Sequence, residues 1–261
     1  MSSGVARLKD LINTYVPEVV LRRLKAWHYL RTLRTMSDVE EPDLKVVRHL
    51  VPAGTVAVDI GANFGIYTKV LSDLVGPRGR VIAAEPIDET FDLLQRNVRS
   101  FQFSNVSCVN AALSDSARVV TMQIPKYTSG GSNYYQARIT EAPGEGRSVQ
   151  VRTTTLDALV KGSTPISFVK LDVEGHEFEC LAGANEVLTQ EAPSWLIEIS
   201  GDPDKRDSVA RQTFDLFAGR GYSAWWFDGT RLIRRQSGDR STNYFFLRDN
   251  HVAELDGRVF S

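Results

Sequence analysis

From residue 55 onward, short apolar runs alternate with stretches whose apolar residues fall at helical spacing. Thr55–Ile60, Arg80–Ala84, Val106–Ala111, Ile166–Asp172 and Trp195–Ser200 read as strands. Their near-continuous hydrophobicity fits burial on both faces. Tyr67–Val75, Glu89–Ser100 and Glu177–Leu188 read as helices, and Gly76-Pro77-Arg78-Gly79 closes the first of them. This alternation predicts an α/β fold with a doubly wound, mostly parallel sheet. Two stretches break it. Val119–Ile124 and Val149–Thr154 read as β and flank a polar, glycine-bearing insert from Lys126 to Arg147. In the tail, Tyr222–Phe227, Arg231–Arg235 and Asn243–Leu247 read as antiparallel strands, with Asp228-Gly229 and Ser237-Gly238 as turns.

The first residues follow another pattern. Val5, Leu8, Leu11, Ile12, Tyr15 and Val16 fall at helical spacing, as do Val20, Leu24, Trp27 and Leu30. Pro17 fits the first turn of a second helix. Residues 5–35 hold seven basic and two acidic side chains, a local charge of +5. Such a segment fits a helical arm packed on the main domain with its charges solvated. It also fits peripheral contact with an anionic membrane surface. The organisation expected is an N-terminal helical segment over residues 1–50 and one domain over 51–261.

Composition narrows the function classes. The 261 residues are 42% hydrophobic and 24% charged, with a net charge of -1. No overall field draws the chain to nucleic acid. Cys108 and Cys180 have no metal-ligand spacing and lie in apolar surroundings. They read as buried, reduced thiols, which suits the cytoplasm. No apolar run reaches the ~20 residues of a membrane-spanning helix, and no signal-peptide pattern opens the chain.

"VDIGANFGIYT", residues 58–68, joins the first strand to the first helix. A dinucleotide turn would read G-x-G-x-x-G, but Asn63 and Ile66 occupy its second and third glycine positions. A phosphate-binding loop would end in Gly-Lys-Ser/Thr, whereas Ile66-Tyr67 follows Gly65. Gly61 and Gly65 still require a tight backbone. Glu85, 26 residues beyond Asp59, ends the second strand, where an acid in such folds binds ribose hydroxyls. A ribose without a pyrophosphate suggests S-adenosylmethionine, with Asp59 helping to hold its ammonium. Glu85 also reads as a solvated strand-end acid.

In order, "VDIGANFGIYT", "AAEP", "VNAALSD", "TTLDALV", "FVKLDVEGHEFECLAGA" and "WLIEIS" resemble the FkbM family of S-adenosylmethionine-dependent methyltransferases. The resemblance covers about residues 55–200. It implies a class I, Rossmann-like methyltransferase that mostly methylates hydroxyls of sugars, lipids or polyketides. It places Asp59, Gly61, Ala62, Asn63 and Gly65 in the first cofactor loop, with Tyr67 and Thr68 opening the helix beside it. Glu85 would take the ribose hydroxyls and Pro86 flank the adenine. Asn110 and Ala111 would lie along the adenine edge, although Asn110 reads equally as a turn residue.

Methyl transfer from a sulfonium demands in-line placement of the acceptor. An alkyl or sugar hydroxyl also needs a base or a metal to take its proton. Asp172, Glu174 and His176 cluster after the fourth strand, and Glu198 ends the fifth. His176 is the favoured base, since an imidazole pKa of ~6.5 suits neutral pH; it also reads as an exposed loop residue. Asp172 reads as acid cluster or as holder of the cofactor's amino group. Asp172, Glu174 and Glu198 are hard ligands that admit Mg²⁺, a less favoured alternative. Zinc is disfavoured by the lack of a Cys/His set. Glu177 fits a helix N-terminus electrostatically. Lys170 sits in its strand either buried beside a carboxylate or at an edge.

For the acceptor, "YTSGGSNYY" offers Tyr127, Ser129, Ser132, Asn133, Tyr134 and Tyr135 for polar and stacking contacts. At most one of the adjacent Trp225 and Trp226 can join them. The expected function is O-methylation of a sugar or glycoconjugate, glycolipid or polysaccharide. Alternatives are a polyketide or other small-molecule alcohol as acceptor, or a non-catalytic S-adenosylmethionine-binding module. A nicotinamide oxidoreductase lacks its glycine pattern.

Overall fold

The computed structural model describes residues 18–36, 41–125, 133–140, 144 and 146–255. An eight-stranded sheet runs through them in the order β3-β2-β1-β8-β9-β12-β10-β11. Its parallel part comprises β1 (Val56–Ile60), β2 (Arg80–Ala84), β3 (Val106–Val109), β8 (Ile166–Leu171) and β9 (Ser194–Glu198). The chain winds outward from β1 to β3, returns to lay β8 on the other side of β1, and continues to β9. The winding direction reverses between β1 and β8, which opens a crevice at their C-terminal ends. The tail forms a hairpin of β10 (Ser223–Phe227) and β11 (Leu232–Arg234), as expected, but β12 (Asn243–Leu247) inserts between β10 and β9.

Alternation along the strands sorts the two cores. Ala57, Phe168, Leu196 and Phe245 face one layer, with α2 (Leu44–Leu50), α3 (Ile66–Val75) and α8 (Asp249–Leu255). Val58, Val169, Ile197 and Phe246 face the other, which includes α5 (Leu156–Leu159), α6 (Glu177–Ala182) and α7 (Val209–Ala218). Leu44, Val46, Val47 and Leu50 of α2 are all buried. α4 (Asp88–Ser100) flanks β2 and β3, and α1 (Glu18–Thr35) packs against α4. Residues 1–17 lie outside the described residues.

The helix expected over Glu177–Leu188 is broken. α6 stops at Ala182, and a π turn follows at Val187–Glu191. Gly183 marks the break, since a Cβ there would stand 2.2 Å from the Ser114 carbonyl oxygen. The third strand ends at Val109 rather than Ala111, and β4 (Ala112–Leu113) joins a second sheet. That sheet runs β4-β7-β5-β6, with β5 (Val119–Ile124), β6 (Arg138–Ile139) and β7 (Arg147–Thr154). Trp225 and Trp226 pack on opposite cores, so neither reaches the crevice. Cys180 is buried as expected, whereas Cys108 is only half-buried.

Gly61 explains part of the loop. The close approach comes from the chain itself: a Cβ on Gly61 would lie 1.8 Å from the Asp172 carbonyl oxygen, and its φ is +75°. The Asp172 N–H donates to the Ile60 carbonyl at 3.1 Å, so β1 and β8 are locked just where they part. Gly229 has φ +95° with open space around it. Gly61→Ala should therefore destabilise the protein by roughly 3 kcal/mol or more, against ~1 kcal/mol of backbone strain for Gly229→Ala. Urea unfolding measures both, and equal losses would show that the Asp172 segment yields.

Candidate active site

A cavity of about 350 Å³ occupies the crevice where β1, β2, β8 and β9 end. Its walls differ in character. Ile87, Ala112, Leu113, Met122, Ala137 and Ile139 supply an apolar side, mostly from the second sheet. The remaining lining gathers carboxylates: Glu41, Asp59, Glu85, Asp172, Glu174 and Glu198.

Strand register builds that acidic side. Asp59 on β1 is the partner of Lys170 on β8, and Lys170 that of Leu196 on β9, two residues before Glu198. Asp59, Lys170 and Glu198 thus project from one face. Lys170 is 3% exposed and lies 3.3 Å from Asp172. A buried ammonium without such a partner would be costly. Tyr67 of α3 covers it, with the Lys170 Nζ 5.2 Å from the ring centroid, and the Tyr67 hydroxyl donates to Glu41 at 3.5 Å. Asp43 accepts from the Asn243 amide at 2.7 Å, tying the segment before α2 to β12.

Burial raises every carboxylate of known shift here. Asp59 is pushed up to about 6 by desolvation, against the Thr68 hydroxyl that donates to it at 2.5 Å and against Lys170. Glu174 is pushed up to about 7 by desolvation and by Asp172, Glu198 and Glu177. Glu198 rises through desolvation and Asp172, and Glu41 through desolvation. Glu174 also has an unusual backbone, φ +54°, which puts it at the turn after β8. One ligand oxygen from each of Asp172, Glu174 and Glu198 lies within 4.8 Å of the others.

Glu85 closes the turn at the other end. Its Oε2 accepts from the Asn63 N–H at 2.9 Å, and Oε1 accepts from the Ile87 N–H at 3.0 Å and from Thr90 at 2.6 Å. It binds the glycine loop to the start of α4 and still lines the cavity. Burial raises its pKa too.

Of the residues expected in a cofactor site, Asp59, Gly61, Ala62, Asn63, Tyr67, Glu85, Pro86, Ala111 and Asp172 line the cavity. Gly65, Thr68 and Asn110 stand behind it. Gly65 opens α3 at φ +100°, and Thr68 is 1% exposed and supports Asp59. Asn110 is exposed and donates to the Glu85 and Pro86 carbonyls, both at 3.2 Å. His176 lines the cavity, but its Nε2 pairs with the Ser114 hydroxyl at 3.0 Å and its Nδ1 lies 3.5 Å from Glu179. Burial lowers its pKa. Tyr134 reaches the cavity, whereas Asn133 is buried behind it and donates to Gln136 at 2.8 Å. Tyr127, Ser129 and Ser132 lie outside the described residues. Phe64, within the glycine loop, lines the cavity without having been expected, as do Glu41, Met122, Ile139 and Asn243, which only tertiary folding brings there.

The residues fit S-adenosylmethionine on their own chemistry. An apolar wall suits a purine, and a surplus of buried carboxylate suits a sulfonium and an ammonium. The fold is that of the class I S-adenosylmethionine-dependent methyltransferases. Residues 59–224 match the methyltransferase FkbM domain, and the chain belongs to that family. It is 26% identical over 198 residues to the hexuronic acid methyltransferase AglP of Haloferax volcanii, covering 75% of each chain. Its structure overlaps that of methyltransferase FkbM from Methylobacillus flagellatus with a TM-score of 0.48 and 17% identity, over 75% of this chain and 44% of that one. This chain thus matches less than half the length of that protein. An O-methyltransferase from Bacillus cereus overlaps with a TM-score of 0.48 at 12% identity, over 91% of this chain and 94% of that one. Among the described residues, no helix is long and apolar enough to cross a membrane.

Asp59 yields a pH prediction. Its folded pKa of about 6 lies above the ordinary 3.8, so the folded state holds this proton longer. The stability it contributes is complete below pH 3.8 and is lost as pH rises to about 6. Asp59→Asn should be more stable than the parent above pH 6, by about 3 kcal/mol, with the gap closing toward pH 4. The same change should weaken S-adenosylmethionine binding. Thermal unfolding across pH and calorimetry read the two effects; parallel stability curves would deny the raised pKa.

Proposed function

We propose that this protein transfers the methyl group of S-adenosylmethionine to a hydroxyl of a sugar or glycoconjugate. The observation that carries this reading is the Glu174 carboxylate. It faces the cavity beside Asp172 and Glu198, is pushed up to about 7, and makes no hydrogen bond among the described residues. A base that changes protonation near neutral pH is what a poorly acidic hydroxyl needs. A carboxyl acceptor would need no base, and its negative charge would be repelled by the acidic wall. A neutral hydroxyl suits the cavity better than a uronate. The relative named for a hexuronic acid supports the saccharide class.

In this reading the bound cofactor supplies an electrophilic methyl group. Asp59 and Glu85 hold its cationic and ribose portions, with Ala62 and Asn63 along the loop. Pro86, Ile87 and Met122 flank its apolar end. Lys170 pairs with Asp172 and holds it in place. Glu174 takes the acceptor's proton, with Glu198 next to it, and Tyr134 offers the acceptor a ring and a hydroxyl. His176 orients the turn through Ser114 and Glu179 rather than serving as the base.

The spacing of Asp172, Glu174 and Glu198 also admits a divalent ion such as Mg²⁺ as the deprotonating aid. The two versions separate experimentally. With Glu174 as base, the single-turnover rate falls as pH drops through about 7. Glu174→Gln should then lose ~10²-fold or more and abolish that pH limb. His176→Ala should stay within about tenfold of the parent, below the usual cost of a lost base. The assay follows labelled methyl transfer to unmethylated neutral sugars and to uronic acids. Loss of activity in EDTA with rescue by Mg²⁺ would move the role to a metal. Transfer to uronates alone would remove the hydroxyl acceptor.

A further inference from the structure

α1 has two apolar sides. On the inner side, the Tyr29 ring stacks on Phe64 with centroids 4.4 Å apart, and Leu33 is 2% exposed. On the outer side, Leu24 is 55% and Trp27 60% exposed. At 3.6 residues per turn, Leu24, Trp27, Arg31 and Arg34 share about a quarter of the circumference, opposite Tyr29 and Leu33. The Arg31 guanidinium lies over the Trp27 ring at 5.5 Å. The other large apolar side chains this exposed among the described residues, Val119 and Val209, stand on separate elements. Among the described residues, only on α1 do two such side chains share a face with cations.

We propose that this outer face of α1 docks on an anionic phospholipid bilayer. An indole and a leucine flanked by arginines suit the headgroup boundary: the apolar groups enter it while the guanidinium ends stay with the phosphates. The charge distribution selects the occupant. Residues 5–35 carry +5 in a chain whose total is -1, so everything after them is net negative. An anionic surface attracts the arm and repels the remainder, which orients the molecule. A second copy fits worse, because a two-fold contact through this face would set arginine against arginine. The inner side gives docking a consequence. Phe64 lies in the cofactor loop and lines the cavity, so the Tyr29–Phe64 stack couples the position of the cavity to the lipid surface.

The test uses the full chain and vesicles, without cofactor or acceptor, so its outcome is independent of the proposed methyl transfer. The protein should co-sediment with phosphatidylcholine vesicles containing phosphatidylglycerol, not with phosphatidylcholine alone, and binding should weaken as salt rises. Leu24→Ser/Trp27→Ser and Arg31→Glu/Arg34→Glu should each lower the partition coefficient about tenfold or more. Both pairs are surface changes, so their melting temperatures should match the parent's. Trp27→Phe should remove the blue shift in fluorescence on binding. Binding unchanged in both double variants, or no preference for anionic lipid, overturns the proposal. So does a concentration-dependent dimer in sedimentation equilibrium that Leu24→Ser/Trp27→Ser abolishes, since that result assigns the face to a second copy.

Discussion

The Lys170 ammonium holds the acidic wall of the cavity together. Carboxylates from the ends of β1, β2, β8 and β9, and Glu41 from the segment before α2, converge on the cavity. Burial in this partly desolvated space raises Asp59, Glu174 and Glu198, and repulsion from Asp172 adds to each shift. Among the described residues, Lys170 is the one lysine or arginine lining the cavity. It neutralises part of the excess, pairs with Asp172, and is fixed from above by Tyr67. Its place follows from a single register, Asp59 opposite Lys170. A slip of one residue would turn the lysine into the other core.

The charge left over makes the free protein an unfinished electrostatic object. One ammonium cannot satisfy six carboxylates, and protonation meets only part of the deficit. A cationic ligand would meet the rest. Binding and folding then draw on the same imbalance, and a change that relaxes one weakens the other.

The central strands were legible because parallel strands buried on both faces leave unbroken apolar runs. Arg80–Ala84 and Val119–Ile124 were read to their ends. The glycine loop was legible as a close backbone approach, but periodicity could not say that the approaching group was the Asp172 carbonyl. The helical period of Glu177–Leu188 does not show the break at Gly183, because the contact there, with the Ser114 carbonyl, is remote in sequence. α2 is seven residues long, too short to show its period, although its four apolar residues are buried in the core. The chemical types at the site were visible at residues 172–176 and 198, but not how they divide the work. Ser114 and Glu179 engage His176, while Glu174 remains open to the cavity. Asn243 and Glu41 were illegible because no local pattern marks a residue that reaches a site across the fold.

Most of the apolar side of the cavity comes from one excursion of the chain, with Ile87 added from the turn after β2. The excursion leaves at Ala112 and returns at Thr154, and its two ends are clasped side by side, Ala112 against Thr153 and Leu113 against Thr154. Such an excursion is detachable in an engineering sense. Another segment with adjoining ends could replace it without disturbing the register of β1, β2, β8 and β9. The chain therefore separates a charged half, fixed by the strand register, from an apolar half carried largely by residues 112–154, and an engineered exchange of the apolar lining would be grafted there.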